Sequence, residues 1–268
     1  MTKQKTLSMK LKTRYNPLKH GLYLLLLLAL PLFSLGNDNT ALFEKGNAAY
    51  AKAQYQQAEK SYQQIIDNGY ESAAVYFNLG NAYYKTGDIP SALLYYEKAH
   101  KLAPGDEDIS FNIRFANSKT SDKVEPAPEF FATQWWHNFI LFYSASTLAT
   151  LSIIFILLGF GVLILYLFTA SILLKKASFF TGVIMVFVSI VMVFIINRQI
   201  TYFSNHHQAI IFSSTVTVKS TPDASAKPLF VVHEGTKVTI MQTNNSWIEV
   251  ELPNGNAGWI ATTDVKEI

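Results

Sequence analysis

Two long hydrophobic runs dominate the pattern of apolar and polar positions along this chain. Residues 148–174 and 177–197 contain no charged side chain, and only Lys175 and Lys176 separate the two runs. A helix that crosses a bilayer needs about 20 apolar residues at 1.5 Å each, and both runs reach that length. The pattern predicts a two-helix transmembrane hairpin, with helices at 147–174 and 177–197. A buried core helix of a soluble protein is the less favoured alternative.

The chain before these runs repeats itself with a period of 34 residues. Phe43 recurs as Phe77 and again as Phe111. Five more positions recur at this spacing, namely Gly46, Asn47, Tyr50, Ala58 and Tyr62, matched by Gly80, Asn81, Tyr84, Ala92 and Tyr96. This is the period of the tetratricopeptide repeat (TPR), in which two helices form each repeat and neighbouring repeats stack. The pattern predicts an α-helical TPR solenoid over residues 37–118.

Helix-ending residues support the two repeats. In the second repeat, Gly87-Asp88 breaks the chain between helices and Pro104 ends the second helix. In the first repeat, Ala53 stands in place of the turn glycine and Tyr70 in place of the closing proline. A further helix at about residues 106–117 is expected to cap the stack.

A polar segment joins the repeats to the first hydrophobic run. It contains Pro126 and Pro128 and then becomes aromatic, with Trp135-Trp136 as its centre. Tryptophan and tyrosine favour bilayer interfaces because each ring has an apolar body and a polar tip. Residues 119–146 are therefore predicted to form a linker followed by an aromatic segment at the membrane surface.

The last part of the chain has the pattern of short strands. Residues 246–252 alternate between polar and apolar positions, and Pro253-Asn254-Gly255 is typical of a tight hairpin. About five short strands over residues 208–268 predict a small all-β barrel. Four features resemble the bacterial SH3 domain, namely Val216–Pro222, Glu234–Val238, Trp247 and Gly258–Ile260.

The amino-terminal residues 1–36 have the features of a signal peptide. Basic residues through Lys19 precede an apolar stretch at 22–33, and Ser34-Leu35-Gly36 fits a cleavage site. Cleavage after Gly36 is predicted, with an uncleaved anchor as the alternative. Because lysines between two spans favour the cytoplasmic side, the repeats and the barrel are expected on the periplasmic side of the inner membrane.

Composition argues against several classes of function. The formal charge of +3 comes from the first 36 residues, because sixteen basic and nineteen acidic residues follow them. No basic patch indicates a nucleic-acid partner. The chain has no cysteine, which excludes disulfides, thiolate zinc sites and cysteine nucleophiles. No catalytic motif is present, and His206-His207 is interpreted as a solvated pair, so we expect no enzyme activity, cofactor or metal.

Candidate binding residues lie on the first helix of each repeat, which lines the concave groove in TPR domains. Phe43, Asn47 and Tyr50 share one helical face, and the next repeat presents the same face. The predicted protein-binding residues are Phe43, Asn47, Tyr50, Phe77, Asn78, Asn81, Tyr84 and Phe111. Packing between repeats is the alternative role for the phenylalanines. Phe43, Asp108 and Asn112 stand where carboxylate-clamp TPRs carry cations, so a ligand held by its terminal carboxylate is not expected.

Trp247 and Trp259 are the candidate ligand surface of the barrel. In so small a domain, a core position is the favoured alternative for both tryptophans. Some relatives of the bacterial SH3 domain bind cell-wall peptides, and an exported barrel would meet such ligands.

The order of these segments resembles one family over nearly the full length. It is similar to the BatE-type membrane TPR proteins of the Bacteroides aerotolerance operon, which are encoded beside von Willebrand-type and MoxR-type ATPase partners. The resemblance implies a non-enzymatic scaffold in an inner-membrane complex, linked to envelope or oxidative-stress tolerance. The rival hypothesis is a sensor that binds peptidoglycan through the barrel.

Overall fold

The computed structural model describes residues 37–268, and the predicted signal peptide lies outside them. The repeat region comprises α1 (Asn37–Ala51), α2 (Tyr55–Asp67), α3 (Ala73–Thr86), α4 (Ile89–Leu102) and α5 (Glu107–Asn117). Three helices follow, namely α6 (Phe131–Ile140) and the two long apolar helices α7 (Ala145–Phe168) and α8 (Ile172–Asn205). The strands are β1 (Gln208–Ile211), β2 (Thr215–Lys219), β3 (Pro228–His233), β4 (Lys237–Asn244), β5 (Trp247–Glu251), β6 (Ala257–Ala261) and β7 (Val265–Glu267). The predicted fold class is confirmed, because helical repeats, two apolar helices and an antiparallel sheet follow in that order.

In each repeat, the two helices pack closely at a glycine of the first helix. A Cβ atom on Gly80 would lie 2.7 Å from the Tyr96 ring, and one on Gly46 would lie 2.5 Å from the Tyr62 ring. Both tyrosines are almost fully buried. The same packing contact therefore occurs in both repeats, 34 residues apart. In each repeat a tyrosine of the second helix fills the space left by a glycine of the first helix.

The two repeats end their first helices with the same backbone geometry. The amide of Asp88 donates to Tyr83 O, and the amide of Gln54 donates to Ala49 O, which is the equivalent bond 34 residues earlier. The residue before each donor is left-handed, with φ of +89° at Gly87 and +56° at Ala53. Alanine is strained in this region because its Cβ crowds the backbone.

Helices α7 and α8 are long and apolar enough to cross a membrane, with 24 and 34 residues. They pack through small side chains, since Ser152 and Ser189 exchange hydrogen bonds across the pair. A Cβ on Gly159 would lie 3.2 Å from Gly182 O, so the two backbones approach closely there. Nothing lies within 4 Å of a Cβ built on Gly161.

The turn between these helices differs from the prediction. The sequence placed Lys175 and Lys176 in the turn, but the turn lies at 169–171 and both lysines are helical residues of α8. Lysine is a good helix former, so two charges alone do not end a helix. Helix α8 also continues to Asn205, eight residues beyond the predicted end at 197.

The carboxy-terminal segment is one antiparallel sheet with the order β3-β2-β6-β5-β4-β1-β7. The described residues hold seven strands where about five were predicted. The prediction counted too few because β1 and β7 have only four and three residues, too short for an alternating pattern to be recognised. The predicted hairpin joins β5 to β6, with Gly255 at φ +85°. Alternate residues of the strands form an aliphatic core that includes Val218, Val250 and Ile260.

The barrel packs directly against the second helix of the second repeat. Ile210 of β1 is fully buried in one cluster with Ala92, Leu93 and Leu94 of α4. Ala116 of α5 belongs to the same cluster, so this end of the barrel packs near both α4 and α5. The sequence treated the repeats and the barrel as separate modules, whereas they share this core.

The proline-containing linker also lies on the barrel. Val124 packs on the aliphatic core of the barrel, and the amide of Ala127 donates to Pro253 O at 2.8 Å. The carboxylate of Asp122 accepts the amide of His233 at 2.7 Å and the hydroxyl of Thr236 at 2.9 Å. These contacts hold the linker in one path from α5 to α6.

Candidate binding groove

Helices α1, α3 and α5 lie side by side and are joined by asparagine side chains. Asn78 Nδ2 donates to Asn47 Oδ1 at 3.1 Å, which links α3 to α1. Asn112 Nδ2 donates to Asn81 Oδ1 at 2.8 Å, which links α5 to α3 in the same way. The two bonds each span 31 residues, so they repeat with the TPR period and set the spacing along the groove.

A buried tyrosine completes each asparagine pair. Tyr62 Oη donates to Asn47 Oδ1 and Tyr96 Oη donates to Asn81 Oδ1, both at 2.8 Å. Burial is the main cause that raises the pKa of Tyr62 to about 12, against a smaller lowering by Asn78. The phenol therefore keeps its proton at neutral pH and remains a donor.

This arrangement orients the amide groups of Asn47 and Asn81. Each Oδ1 atom is held by two donors, while each Nδ2 atom has no acceptor among residues 37–268. Both asparagines line one cavity of about 130 Å³, together with Tyr50, Tyr62 and Asn78. The cavity therefore offers amide donors to a bound molecule. The sequence placed Asn47 and Asn81 on this face, but it missed their fixed orientation, which depends on Tyr62 and Tyr96.

The predicted aromatic residues divide into two groups. Phe43 lies 5.9 Å from the Tyr62 ring and Phe77 lies 5.9 Å from the Tyr96 ring, so both pack on the core of their own repeat. Tyr50 packs against Tyr55 at the end of α1. The sequence left open packing between repeats as the alternative role of the phenylalanines. These ring contacts lie within one repeat, whereas Phe43 also packs on a buried cluster that includes Val75 and Leu79 of the second repeat.

The carboxy-terminal end of the groove carries an exposed aromatic pair. Phe111 and Phe115 of α5 stack with ring centroids 6.0 Å apart and an interplanar angle of 9°, and Tyr84 lies 5.4 Å from Phe115. Phe111 keeps 57% of its surface exposed and Phe115 45%. Phe115 was not among the predicted binding residues, although its position four residues after Phe111 places it on the same helical face.

A second cavity of about 330 Å³ lies at the amino-terminal end of the repeats. Phe43, Ile65 and Val75 form part of its wall, and the exposed ring of Tyr70 stands at its edge. Tyr70 occupies the position where the second repeat has Pro104, so the two repeats differ in shape here.

The two tryptophans of the barrel share one face of the sheet but differ in exposure. Trp247 pairs with Ala261 and Trp259 pairs with Glu249, which places both side chains opposite the aliphatic core. Trp259 keeps only 9% of its surface, so it forms no open platform. Trp247 is half-buried, and Lys219 Nζ lies 5.4 Å from its ring centroid.

The repeats also contact the turn between α6 and α7. A Cβ on Gly105 would lie 2.0 Å from Phe142 O, so only glycine fits this approach of two backbones. Gln199 of α8 is buried and donates to Ile140 O and Tyr143 O, so α8 also holds this turn. The repeat region is thereby held at a set position relative to the apolar helices.

Within the part of the chain that the structure describes, no group of three or more His, Cys, Asp or Glu side chains is placed to hold a metal ion. His206 and His207 are both exposed. The His206 ring packs 4.5 Å from Tyr202, and its Nδ1 lies 2.7 Å from Tyr202 O.

Comparison with known proteins identifies one domain on each side of the apolar helices. A family model for the tetratricopeptide repeat matches residues 43–107, and a model for the bacterial SH3 domain matches residues 214–266. No curated protein sequence matches the chain. Among solved structures, 34 chains match, including the C-terminal SH3 domain of myosin IB from Entamoeba histolytica. That domain is 28% identical, with 24% of this chain and 86% of that chain covered and a TM-score of 0.18. Domains of these two kinds are typically non-catalytic, and they suggest binding of proteins or of the cell wall.

Proposed function

We propose that this protein is a non-enzymatic, membrane-anchored scaffold that binds protein partners through the groove of α1, α3 and α5. One observation carries the proposal. The Nδ2 groups of Asn47 and Asn81 line one cavity, are oriented by buried tyrosines, and have no acceptor among residues 37–268.

Amide donors at a regular spacing suit the main chain of a bound segment. Peptide carbonyls would accept from Asn47 and Asn81, while an apolar side chain of the partner would contact the exposed Phe111 and Phe115 rings. The 34-residue period presents the same donor twice, so a segment that runs along the groove meets both. This mode uses no terminal carboxylate, in keeping with the absence of clamp cations at Phe43, Asp108 and Asn112.

Helices α7 and α8 would anchor the scaffold in the inner membrane, with both soluble modules on the periplasmic side. Two crossings would place the repeats and the barrel on the same face, and the contact between α4 and β1 supports that arrangement. The resemblance to BatE-type proteins supports a complex with von Willebrand-type and MoxR-associated membrane partners. It also supports a role in envelope or oxidative-stress tolerance.

Peptidoglycan binding by the barrel is the second candidate. The match to the bacterial SH3 domain and the half-buried Trp247 beside Lys219 favour it. Trp259 contributes little open surface to such a site, and the β3–β4 turn is already engaged by Asp122.

Affinity purification from the native membrane tests the groove with an isosteric change. Asn47→Asp with Asn81→Asp keeps the oxygen that accepts from tyrosine and replaces each groove-facing amide donor by a carboxylate oxygen. We expect loss of the specific membrane-protein partners. Gln56→Glu with Gln64→Glu adds the same charge on exposed positions of α2 and is expected to retain them.

Two results would count against the groove. Partners that remain bound to the double aspartate variant would remove it as the docking surface. Recovery of cell-wall fragments alone, equally with both variants, would transfer the function to the barrel.

A further inference from the structure

A large apolar cavity lies where α6 and the α6–α7 turn meet α8. Its volume is about 600 Å³, and its walls include Trp135, Phe139, Phe142, Leu148, Val191 and Ile195. Trp135 and Phe142 each keep 64% of their surface exposed, so the cavity is open at its side. This volume lies in the range of about 300–1,000 Å³ that small-molecule sites occupy.

Contacts at one end of α6 fix the position of this helix relative to α8. Gln199 is 2% exposed and donates to Ile140 O and Tyr143 O, while the His137 ring lies 4.8 Å from Tyr202. These contacts join the carboxy-terminal half of α6 to the carboxy-terminal part of α8. From there the cavity extends along α8 towards Phe187.

The cationic side chain of Arg198 lies on the same face of α8, nearer the carboxy-terminal end of the helix. Arg198 follows Val191 by seven residues and Ile195 by three, so it continues the row of α8 residues that line the cavity. Its side chain is exposed, and its guanidinium carbon lies 5.0 Å from the Phe194 ring centroid. Among residues 37–268, the side-chain ion pairs involve other residues, and Arg198 has no carboxylate partner.

We propose that this cavity binds one acyl chain of a glycerophospholipid whose phosphate contacts Arg198. The apolar walls match the chain, and the unpaired guanidinium matches the phosphate in charge and in hydrogen-bonding geometry. A transmembrane helix of a partner is about 10 Å wide and about 30 Å long, several times the volume of the cavity. A single hydrocarbon chain is the occupant that fits.

This inference depends on the proposed membrane position of α7 and α8, and it gives α6 a role. The aromatic residues of α6 would lie at the level of the lipid headgroups, with the bound chain beneath them. A bound lipid would fill the space that separates α6 from α8 and would fix the platform on which Gly105 of the repeat region rests.

Photo-crosslinking of the full chain in nanodiscs tests the site. The probe is phosphatidylglycerol with a diazirine near the end of one acyl chain, diluted in phosphatidylethanolamine, and labelled residues are mapped by mass spectrometry. We expect strong labelling of cavity residues such as Val188 and Met192. Val191→Trp places an indole ring inside the cavity and is expected to lower this labelling by about tenfold, and Arg198→Gln by a smaller factor.

Matched variants separate a specific site from general lipid contact. Ile190→Trp adds the same ring to an exposed position of α8 outside the cavity, and it is expected to leave cavity labelling unchanged. Lys176→Gln removes a cation at the opposite end of α8 and is likewise expected to have no effect.

Four results would overturn the proposal. Equal cavity labelling in wild type and Val191→Trp would show ordinary surrounding lipid only. Equal labelling by a diazirine fatty alcohol, with no effect of Arg198→Gln, would exclude a phospholipid as the specific ligand. Absence of label on lipid-facing positions such as Ile190 and Val193 would show that the membrane position itself is wrong, whereas label there without label in the cavity would reject the lipid site alone.

Discussion

Lys237 Nζ donates to Glu97 Oε2 at 2.9 Å, and this ion pair joins the barrel to helix α4 of the repeat region. The Glu97 side chain is 7% exposed and that of Lys237 is 33% exposed. A buried carboxylate is costly unless it is paired, so separation of the two modules is opposed by more than the apolar contacts of Ile210. We therefore expect the repeats and the barrel to unfold together.

Removal of one partner of this pair is expected to weaken the docking. Glu97→Ala leaves the Lys237 ammonium without its carboxylate and should lower the free energy of unfolding by about 2 kcal/mol. Denaturant unfolding of the full chain in detergent measures this change, together with Lys237→Met and the double variant. A coupling energy of at least about 1 kcal/mol is expected, and strictly additive effects would show that the pair does not hold the modules together.

The contact between Asp122 and His233 is expected to depend on pH. Burial raises the pKa of Asp122, but hydrogen bonds from the His233 side chain and amide and from Thr236 outweigh it, so the pKa lies below its ordinary value of 3.8. Because the folded-state pKa is depressed, the stabilisation is complete above the unfolded-state pKa and is lost as pH falls through the folded-state pKa.

Asp122→Asn should remove the stabilisation that depends on the charged carboxylate, and should lower the free energy of unfolding by about 2 kcal/mol near neutral pH. Thermal unfolding from about pH 2 to 7 measures the difference in stability between wild type and variant, and this difference should shrink below about pH 4. Asp223→Asn is the control, since that carboxylate bonds only within its own turn, to Ser225. If the stability difference between wild type and Asp122→Asn stayed the same across the pH range, the Asp122 carboxylate would not be the acid-sensitive group.

The two equivalent left-handed positions should respond in opposite directions to the same exchange. Ala53→Gly relieves an alanine at φ +56° and is expected to stabilise the repeats by about 0.5–1 kcal/mol. Gly87→Ala creates that strain at φ +89° and is expected to destabilise them by about 1 kcal/mol. Loss of helical circular dichroism with urea measures both. Destabilisation by Ala53→Gly would mean that backbone freedom in the unfolded chain outweighs the strain.

The packing of α7 on α8 should depend on one glycine and not on another. A Cβ on Gly182 would lie 2.6 Å from Leu163 and 3.0 Å from Gly159 O, so Gly182→Leu forces the helices apart. Gly161→Leu adds the same side chain where nothing lies within 4 Å. We expect Gly182→Leu to lower the resistance of the full chain to unfolding by sodium dodecyl sulfate, and Gly161→Leu to leave it near wild type. Equal effects would argue against this helix pairing.

The groove shows how far a repeat pattern can predict a site. The 34-residue period placed Asn47 and Asn81 on one face together with Phe43 and Phe77, because residues at equivalent positions of a solenoid occupy equivalent places. The same pattern did not distinguish the phenylalanines, which pack on Tyr62 and Tyr96, from the asparagines, which face the cavity. That distinction depends on which neighbour fills the space beside each side chain.

The sequence alone determined the identity and order of the parts of this protein. Helix periodicity, helix-ending glycines, apolar runs and strand alternation are local signals, and each can be recognised within one segment. The tertiary structure decided how those parts meet, through the pairs Glu97 with Lys237 and Asp122 with His233, which lie more than 100 residues apart in the chain. Such contacts have no period in the sequence, because they arise only when two independently folded surfaces pack and each buried polar group finds its partner.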